Sequence, residues 1–516
     1  MVDNLTQVAA LNSDSGNWNV LTHDRSHGIL GEIAWSRDGS KLYFDRKLAK
    51  PEGIYTVPSV GGNERLVLED AEYPEVLPDG SLLICRLDPD RKEQVYHFWP
   101  ETGRLQALGA WLPVLTGPTS SIRVFPDGEE AVFFGTASGK GSGDLPHLYA
   151  LDISSGRARQ LAPQLPIRQA QGFPLAVTPD NRSVLIDLPR GNLHQIVALP
   201  RSGSGSVQVL MTLTTAPWLM DAGPDGSLYL DQVERPLQVL RFPITGGTPE
   251  VVASSETSET YSEQSMQPVE FPDGRCLLPT LLSGRARLLI GNPGGNFFAL
   301  VDTTEETGPL AALLPNSEVA FIAGTGSDQT IAIASAREGE GRIIRRLQGA
   351  KGQQPTALAA SADGKTVYYV VSRSVWAIPA VDGTPQKICT GDGIAVDPNG
   401  QDLIVNLNER TGVRLFRVPL SGGPEREIRV QSDLQISPLP IGGNGVRKDG
   451  KILVGIFPRG TWFFSLTILD PVTSALTKIP LDYTGDLFLS GWAADGRILA
   501  TSELMRARIW RFRPIR

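Results

Sequence analysis

Three features of this sequence have the residue types and spacing to support chemistry: a histidine pair, a glycine-lysine stretch and a recurrent cation. His23 and His27 flank Asp24 in the segment LTHDRSH, a spacing that can present two imidazoles to one metal ion. A histidine-held metal would need further ligands, and the remaining histidines, His97, His147 and His194, lie far apart in strand-like sequence. The pair therefore reads as a polar loop, and neither a metal nor any other cofactor is expected. The run Gly135-Thr-Ala-Ser-Gly139-Lys140-Gly141 imitates a phosphate-binding loop. It has three residues between its glycines where that loop has four, and Gly141 stands where a magnesium-binding hydroxyl belongs. It leads into a strand pattern, so no helix N-terminus would face a phosphate. No Gly-x-Ser-x-Gly elbow and no His-Glu-x-x-His occurs, and no catalytic residue is assigned.

The recurrent cation is the pattern that stands out. Arg46, Arg91, Lys140, Arg190, Arg235, Arg285, Arg337, Arg373, Arg410, Arg459 and Arg506 each fall between the second and third strands of a repeated unit. Guanidinium groups gathered on one face could hold an anionic small molecule or an acidic protein segment through bidentate hydrogen bonds. Each could equally pair with an acid on the neighbouring unit. Both readings stay open, and the arginines of this series are the candidate ligand-binding residues.

The repeat that would position them is set by its turns. Asp-Gly recurs at Asp38, Asp79, Asp127, Asp225, Asp273, Asp363, Asp449 and Asp495, with variants at Asp180-Asn181 and Asn399-Gly400. Ser327-Asp328 is assigned as a degenerate copy. The spacing is about 46 residues, near the blade period of roughly 40–45. Alternating apolar residues on both sides, as in KLYF (41–44) and TVYYVV (366–371), make each turn a hairpin of strands A and B. A second hairpin follows, as in IYTVPSVGG (54–62) and LFRVPLSGG (415–423), giving strands C and D. About eleven four-stranded units of this kind predict an all-β propeller. Eleven blades exceed one ordinary ring, so two propellers are expected: residues 1–260 with 486–516, and residues 261–485. The polar stretch Ser254 to Gln267 is the expected linker. The last unit ends after its strand C, and the start (8–24) offers a strand, a turn and a strand. The N-terminal strand is therefore expected to complete the C-terminal blade and leave no open edge.

Leu21-Thr22, AWSRDGSKLYF (34–44) and GIYTVPSVGGNERLVL (53–68) resemble the unit of the TolB-like, WD-repeat-like propeller family, and the resemblance covers nearly the whole chain. Asp79, Asp127, Asp180, Asp225 and Asp273 keep that unit's preceding proline, whereas Asp38, Asp363, Asp449 and Asp495 lack it. The family includes a periplasmic protein and extracytoplasmic sensor regions of bacterial signalling proteins. The resemblance implies the fold and is nearly silent on function. An arginine after strand B belongs to the family's unit, which strengthens its structural reading.

The bulk properties narrow the rest. A net charge of -8 argues against nonspecific nucleic-acid binding. No apolar run reaches the roughly 18–20 residues of a membrane helix. The opening MVDNLTQVAALN has neither a basic nor an apolar signal region, so the expected location is cytoplasmic, or extracytoplasmic if an export signal has been removed. Cys85, Cys276 and Cys389 are expected as buried free thiols. The functional expectation is a non-catalytic propeller scaffold binding a ligand or protein at a channel mouth, in the manner of an extracytoplasmic sensor region. The alternative is a propeller lyase or a lactone or glycoside hydrolase acting on carbohydrate.

Overall fold

A computed structural model describes residues 6–23, 29–47, 51–87, 93–112, 122–135, 147–163 with 165, 174–190, 193–215, 217–234, 236–254, 267–282, 285–325, 328–337, 340–349, 353, 355–409, 412–432, 434–457, 463–503 and 506–513. The regular elements of the described residues are strands joined by turns and loops, with a turn of 3-10 helix at Pro315–Ser317. No helix among these residues is long and apolar enough to cross a membrane.

The Asp-Gly turns explain themselves locally. In each, the Asp carboxylate accepts the backbone N–H two residues on: Ser40 on Asp38 at 3.1 Å, Ser81 on Asp79 at 3.0 Å and Ser227 on Asp225 at 3.0 Å. The glycine then takes a left-handed φ, 69° at Gly39 and 84° at Gly80, closing the hairpin without strain.

The chain divides into two compact units, residues Met1–Val233 with Arg459–Trp462 and Ala507–Arg516, and residues Glu234–Pro458 with Phe463–Arg506. In the first, four four-stranded antiparallel sheets follow one another, here called blades I to IV. Blade I comprises Ile29–Trp35, Lys41–Lys47, Gly53–Pro58 and Arg65–Glu69, and blade II comprises Glu72–Val76, Leu82–Leu87, Glu93–Trp99 and Arg104–Leu112. Blades III and IV begin at Ile122–Val124 and Leu175–Val177. Blade V is three-stranded: Met220–Ala222, Leu228–Glu234 and, from the far end of the sequence, Arg506–Phe512. Buried apolar residues are shared between successive blades, as where Tyr43, Ile54 and Ala71 pack with Leu82, Ile84 and Phe98. That is why no blade stands alone.

The second unit holds six four-stranded blades. Five run in sequence from Val269–Glu270 to Ala475–Lys478. The sixth joins Asp486–Trp492 and Ile498–Glu503 to Leu237–Phe242 and Glu250–Ser254. Its Leu237, Val239 and Leu499 pack against Cys276 and Leu278 of the unit's first blade, while Leu240, Phe242 and Ile498 pack against Leu453 and Leu466 of the fifth. The ring therefore closes on itself.

The propeller fold and its eleven units are as the repeat predicted, but their partition differs. Residues 234–254 and 486–503 lie in the second unit, not the first. The fifth and eleventh repeats have exchanged third strands: Leu237–Phe242 pairs with Ile498–Glu503, and Arg506–Phe512 joins Leu228–Glu234. The expected linker falls largely outside the described residues. The N-terminal segment forms its own hairpin, Ala9–Leu11 with Trp18–Val20. Val8 and Leu21 pack on Leu30, Leu42 and Phe44 of blade I, and Asp14 pairs with Arg511 at 3.2 Å. It thus meets the C-terminal strand through an ion pair, and no backbone ladder joins them among the described residues.

Candidate functional site

The recurrent cations do not share one environment. Arg46 is buried, donating from Nε to Glu64 at 2.7 Å and from Nη2 at 2.5 Å within its own blade. Arg373 pairs with Asp392 at 3.0 Å and donates to the Asn408 carbonyl at 2.7 Å, both on the next blade. Arg285 donates to the Thr304 carbonyl at 3.0 Å. Arg190 is exposed at the end of its strand B. Arg337 is also exposed, but it follows Thr330–Ser335, the third strand of its blade, and precedes the fourth. It therefore sits in a C–D turn. The cause is the degenerate repeat, whose A–B turn is Pro315-Asn316-Ser317 and not Ser327-Asp328. Arg91, Lys140, Arg235, Arg410 and Arg459 lie outside the described residues, and of Arg506 only the backbone is described.

The other motifs fare similarly. His23 is exposed, and Asp24 and His27 fall outside the described residues, as does the glycine-lysine stretch beyond Gly135. His97 bonds Ser81 at 2.7 Å and His194 bonds Asp187 at 2.7 Å. No group of three or more metal-binding side chains occurs among the described residues. The three cysteines are buried and free.

What the structure does bring together is a set of ionisable groups that none of these motifs flagged, at the B–C end of blades I and II. The inner strands of both blades carry a bulge there, between Leu30 and Ile33 and between Glu72 and Glu75. A bulge re-aims side chains that regular alternation would send elsewhere. Inside the second, Tyr73 adopts φ 54°, a conformation costly for an aromatic residue. Its ring lies under the Lys47 ammonium, which is 4.1 Å from the ring centroid and 3.1 Å from the phenol oxygen. Lys47 Nζ also pairs with Glu72 at 2.5 Å and lies 3.6 Å from Asp45.

Two carboxylates here are poorly satisfied. Asp45 is fully buried, and neither of its oxygens accepts a hydrogen bond; Glu93, at the start of blade II strand C, is 6% exposed and leaves Oε2 without a partner. Burial pushes Asp45 up to about 7, with Lys47 opposing and Glu72 and Glu32 adding to the rise. Burial, then the Glu72 charge, raises Glu93 to about 8. Asp187 shows a partly satisfied version of the same position: both acids stand opposite an isoleucine of strand C, Ile54 and Ile196, but Asp187 Oδ2 has His194 as its partner while Oδ1 has none.

Further along the inner strands, Arg123 of blade III reaches Glu32 of blade I at 3.4 Å and Glu75 of blade II at 4.0 Å. Glu75 also accepts the Val124 N–H at 3.1 Å, yet burial lifts its carboxyl to about 7. Asp221 of blade V contributes to that rise. Four inner strands thus turn charges toward one another, and the acids outnumber the cations.

No protein-family model matches the sequence, and no curated protein does. Solved propellers are what the chain is similar to. TolB from Acinetobacter baumannii shares 15% identity over 56% of this chain and 58% of its own, with a TM-score of 0.32. The tricorn protease shares 12% over 98% of this chain and 61% of its own, at 0.32. A gluconolactonase from Xanthomonas campestris shares 16% over 46% and 85%, at 0.34. The chain thus covers less than two thirds of the TolB and tricorn chains. TolB proteins stand among these structures, as the repeat led one to expect, and the likeness extends to fold alone.

Proposed function

We infer that the chain is a binding scaffold without catalytic turnover, and that its first unit receives a partner at the B–C end of blades I and II. The observation that carries this reading is Asp45, a fully buried carboxylate whose two oxygens accept no hydrogen bond. A group of this kind costs stability, and a fold tolerates it where a partner supplies what the interior does not. The strained φ of Tyr73 in the same cluster supports the reading, because strain also collects at sites with a task.

Calorimetry of the Asp45→Asn/Glu93→Gln variant at pH 8 tests it. A binding site trades stability for function, so neutralising the two acids should raise Tm. A lower Tm than the parent's would mean that the carboxylates hold the fold together, and the site would be withdrawn.

A further inference from the structure

We propose that the outer edge of Arg506–Phe512, the third strand of blade V, receives an extended acidic segment of another protein as a fourth strand. What this blade lacks is the starting point. The ten other blades have four strands each, and among the described residues blade V has three. Arg506–Phe512 pairs with Leu228–Glu234 on one side. In such a strand every second residue turns its N–H and C=O away from that neighbour. No backbone bond from another described segment reaches these groups, in a ladder or in a turn. A row of unpaired peptide groups is a template for one more strand.

The faces of the strand are bare as well. In blades III and IV the third strand is largely buried, as at Leu148, Ala150 and Leu151 or at Ile196, Val197 and Leu199. Residues 507–510 are all exposed, with Ile509 at 55% and Trp510 at 44%. Adjacent residues of a strand point to opposite faces, so an apolar side chain is uncovered on each. The neighbouring blade shows the same gap. In its outermost strand, Gln208–Leu213, Met211 and Leu213 pack with Met220 and Leu228 of blade V, yet Leu210 beside them is 43% exposed. A fourth strand in blade V would lie against that outermost strand, because successive blades cover one another.

Charge selects the occupant. Residues 506–516, RARIWRFRPIR, include five arginines and no acid, in a chain whose net charge is -8. Arg511 already pairs with Asp225 at 2.8 Å and Asp14 at 3.2 Å. Arg508 is exposed and enters no ion pair among the described residues. Arg513, 69% exposed, has Asp14 at 3.8 Å, a carboxylate it shares with Arg511. Two copies of the chain meeting edge to edge would set these arginines against each other, so like-charge repulsion disfavours self-pairing. Arg508 shares a face with Trp510, and Arg513 with Ile509. A strand pairing antiparallel, as the named ladders of this chain do, would therefore carry an acid, two polar residues, two apolar residues and a second acid. The acids then stand opposite Arg513 and Arg508, and the apolar pair opposite Trp510 and Ile509.

Fluorescence anisotropy of the full chain with fluorescein-labelled Gly-Glu-Thr-Thr-Val-Val-Glu-amide tests the proposal. The peptide should bind about ten-fold more tightly than its counterpart with lysine in place of both glutamates. A version N-methylated along its backbone, which keeps the side chains but cannot donate, should not bind. Hydrogen exchange at residues 507–512 should slow when the acidic peptide is present. Arg508→Glu/Arg513→Glu, at exposed positions, should keep the parent's circular dichroism and reverse the preference toward the lysine peptide. Absence of binding, or equal binding of the N-methylated version, overturns the added strand. Unchanged affinity in the double variant places the contact elsewhere and overturns it too. A parent chain that sediments as a dimer, and as a monomer after Trp510→Glu, would give the edge to a second copy instead. The edge shares no residue with the Asp45 cluster, so this test and that of the proposed function succeed or fail separately.

Discussion

A methyl group added at Gly31 would meet the two oxygens of Asp45 at 2.4 and 2.5 Å, so it is the absence of a side chain there that lets the carboxylate lie against the inner strand of blade I. Gly31→Ala should therefore destabilise by about 1–3 kcal/mol, as overpacking does. Denaturant titration should find a smaller cost in an Asp45→Ala background; equal costs in both would show that the contact is not what Gly31 serves. Asp45 and Glu93 also set a pH signature. Their carboxyls hold protons in the fold at pH values where the unfolded chain has lost them, so stability falls as pH rises from about 4 to 8. Ionising Asp45 in place costs on the order of 4 kcal/mol. The Tm advantage of Asp45→Asn/Glu93→Gln should accordingly vanish near pH 4 and be largest above pH 8. Among the cations, Arg46→Ala should cost about 3–5 kcal/mol by stranding buried Glu64, whereas exposed Arg337→Ala should stay within about 0.5 kcal/mol. The site itself was not legible in the sequence. Glu32 in GEIAW, Asp45 in FDRK and Glu93 in KEQVY read as ordinary polar positions of strands. Only Glu32 sits in a bulge, and a bulge has no residue signature as sharp as Asp-Gly; Asp45 and Glu93 stand in regular register, and nothing in FDRK or KEQVY marks them for burial.

Strands and turns were legible wherever the code is local. An Asp that bonds the backbone two residues on, followed by a glycine with positive φ, needs nothing from the rest of the molecule. The reading slipped where that chemistry is replaced. Pro315-Asn316-Ser317 makes its turn with Asn316 at φ 62°, and the missing Asp-Gly displaced the assignment of strands, which carried Arg337 to the wrong turn. The exchange of third strands was hidden for another reason. QVLRFP (238–243) and RIWRFRP (508–514) are interchangeable as strand patterns, so which sheet receives which is decided by tertiary packing. The exchanged strand Arg506–Phe512 has a measurable role. Phe512 packs with Ala176, Met220, Leu228 and Leu230, and Arg511 pairs with Asp225 at 2.8 Å. Ending the chain at residue 505 should lower the melting temperature of the first unit and leave the transition of the second in place. An unchanged thermogram would mean that blade V is complete with two strands.

At the scale of the molecule, the two units close by different means. Blade-to-blade packing runs all the way round the second, including the step from its sixth blade to its first. In the first unit, the hairpin Ala9–Leu11 with Trp18–Val20 packs on blade I, and its turn reaches Arg511 of blade V. The second unit's strands all lie between Leu237 and Glu503, so residues 236–503 expressed alone should give a β-rich circular dichroism spectrum and a cooperative melt. A fragment that stays unfolded would show that the second unit depends on the first.

The strand exchange also orders events during synthesis. Strand Leu228–Glu234 of blade V pairs with Met220–Ala222 at once, but finds its second neighbour only when Arg506–Phe512 has been made, with the whole second unit translated in between. At about 5–20 residues per second, that leaves the first unit incomplete for roughly a quarter of a minute to a minute on the ribosome. Throughout that interval the strand that precedes it on the nascent chain, Leu237–Phe242, carries much the same pattern and is already within reach. The native pairing must therefore win against an earlier and nearer competitor. Newly made chains should partition between the exchanged and the sequential blade, and slowing elongation should shift them toward the sequential one.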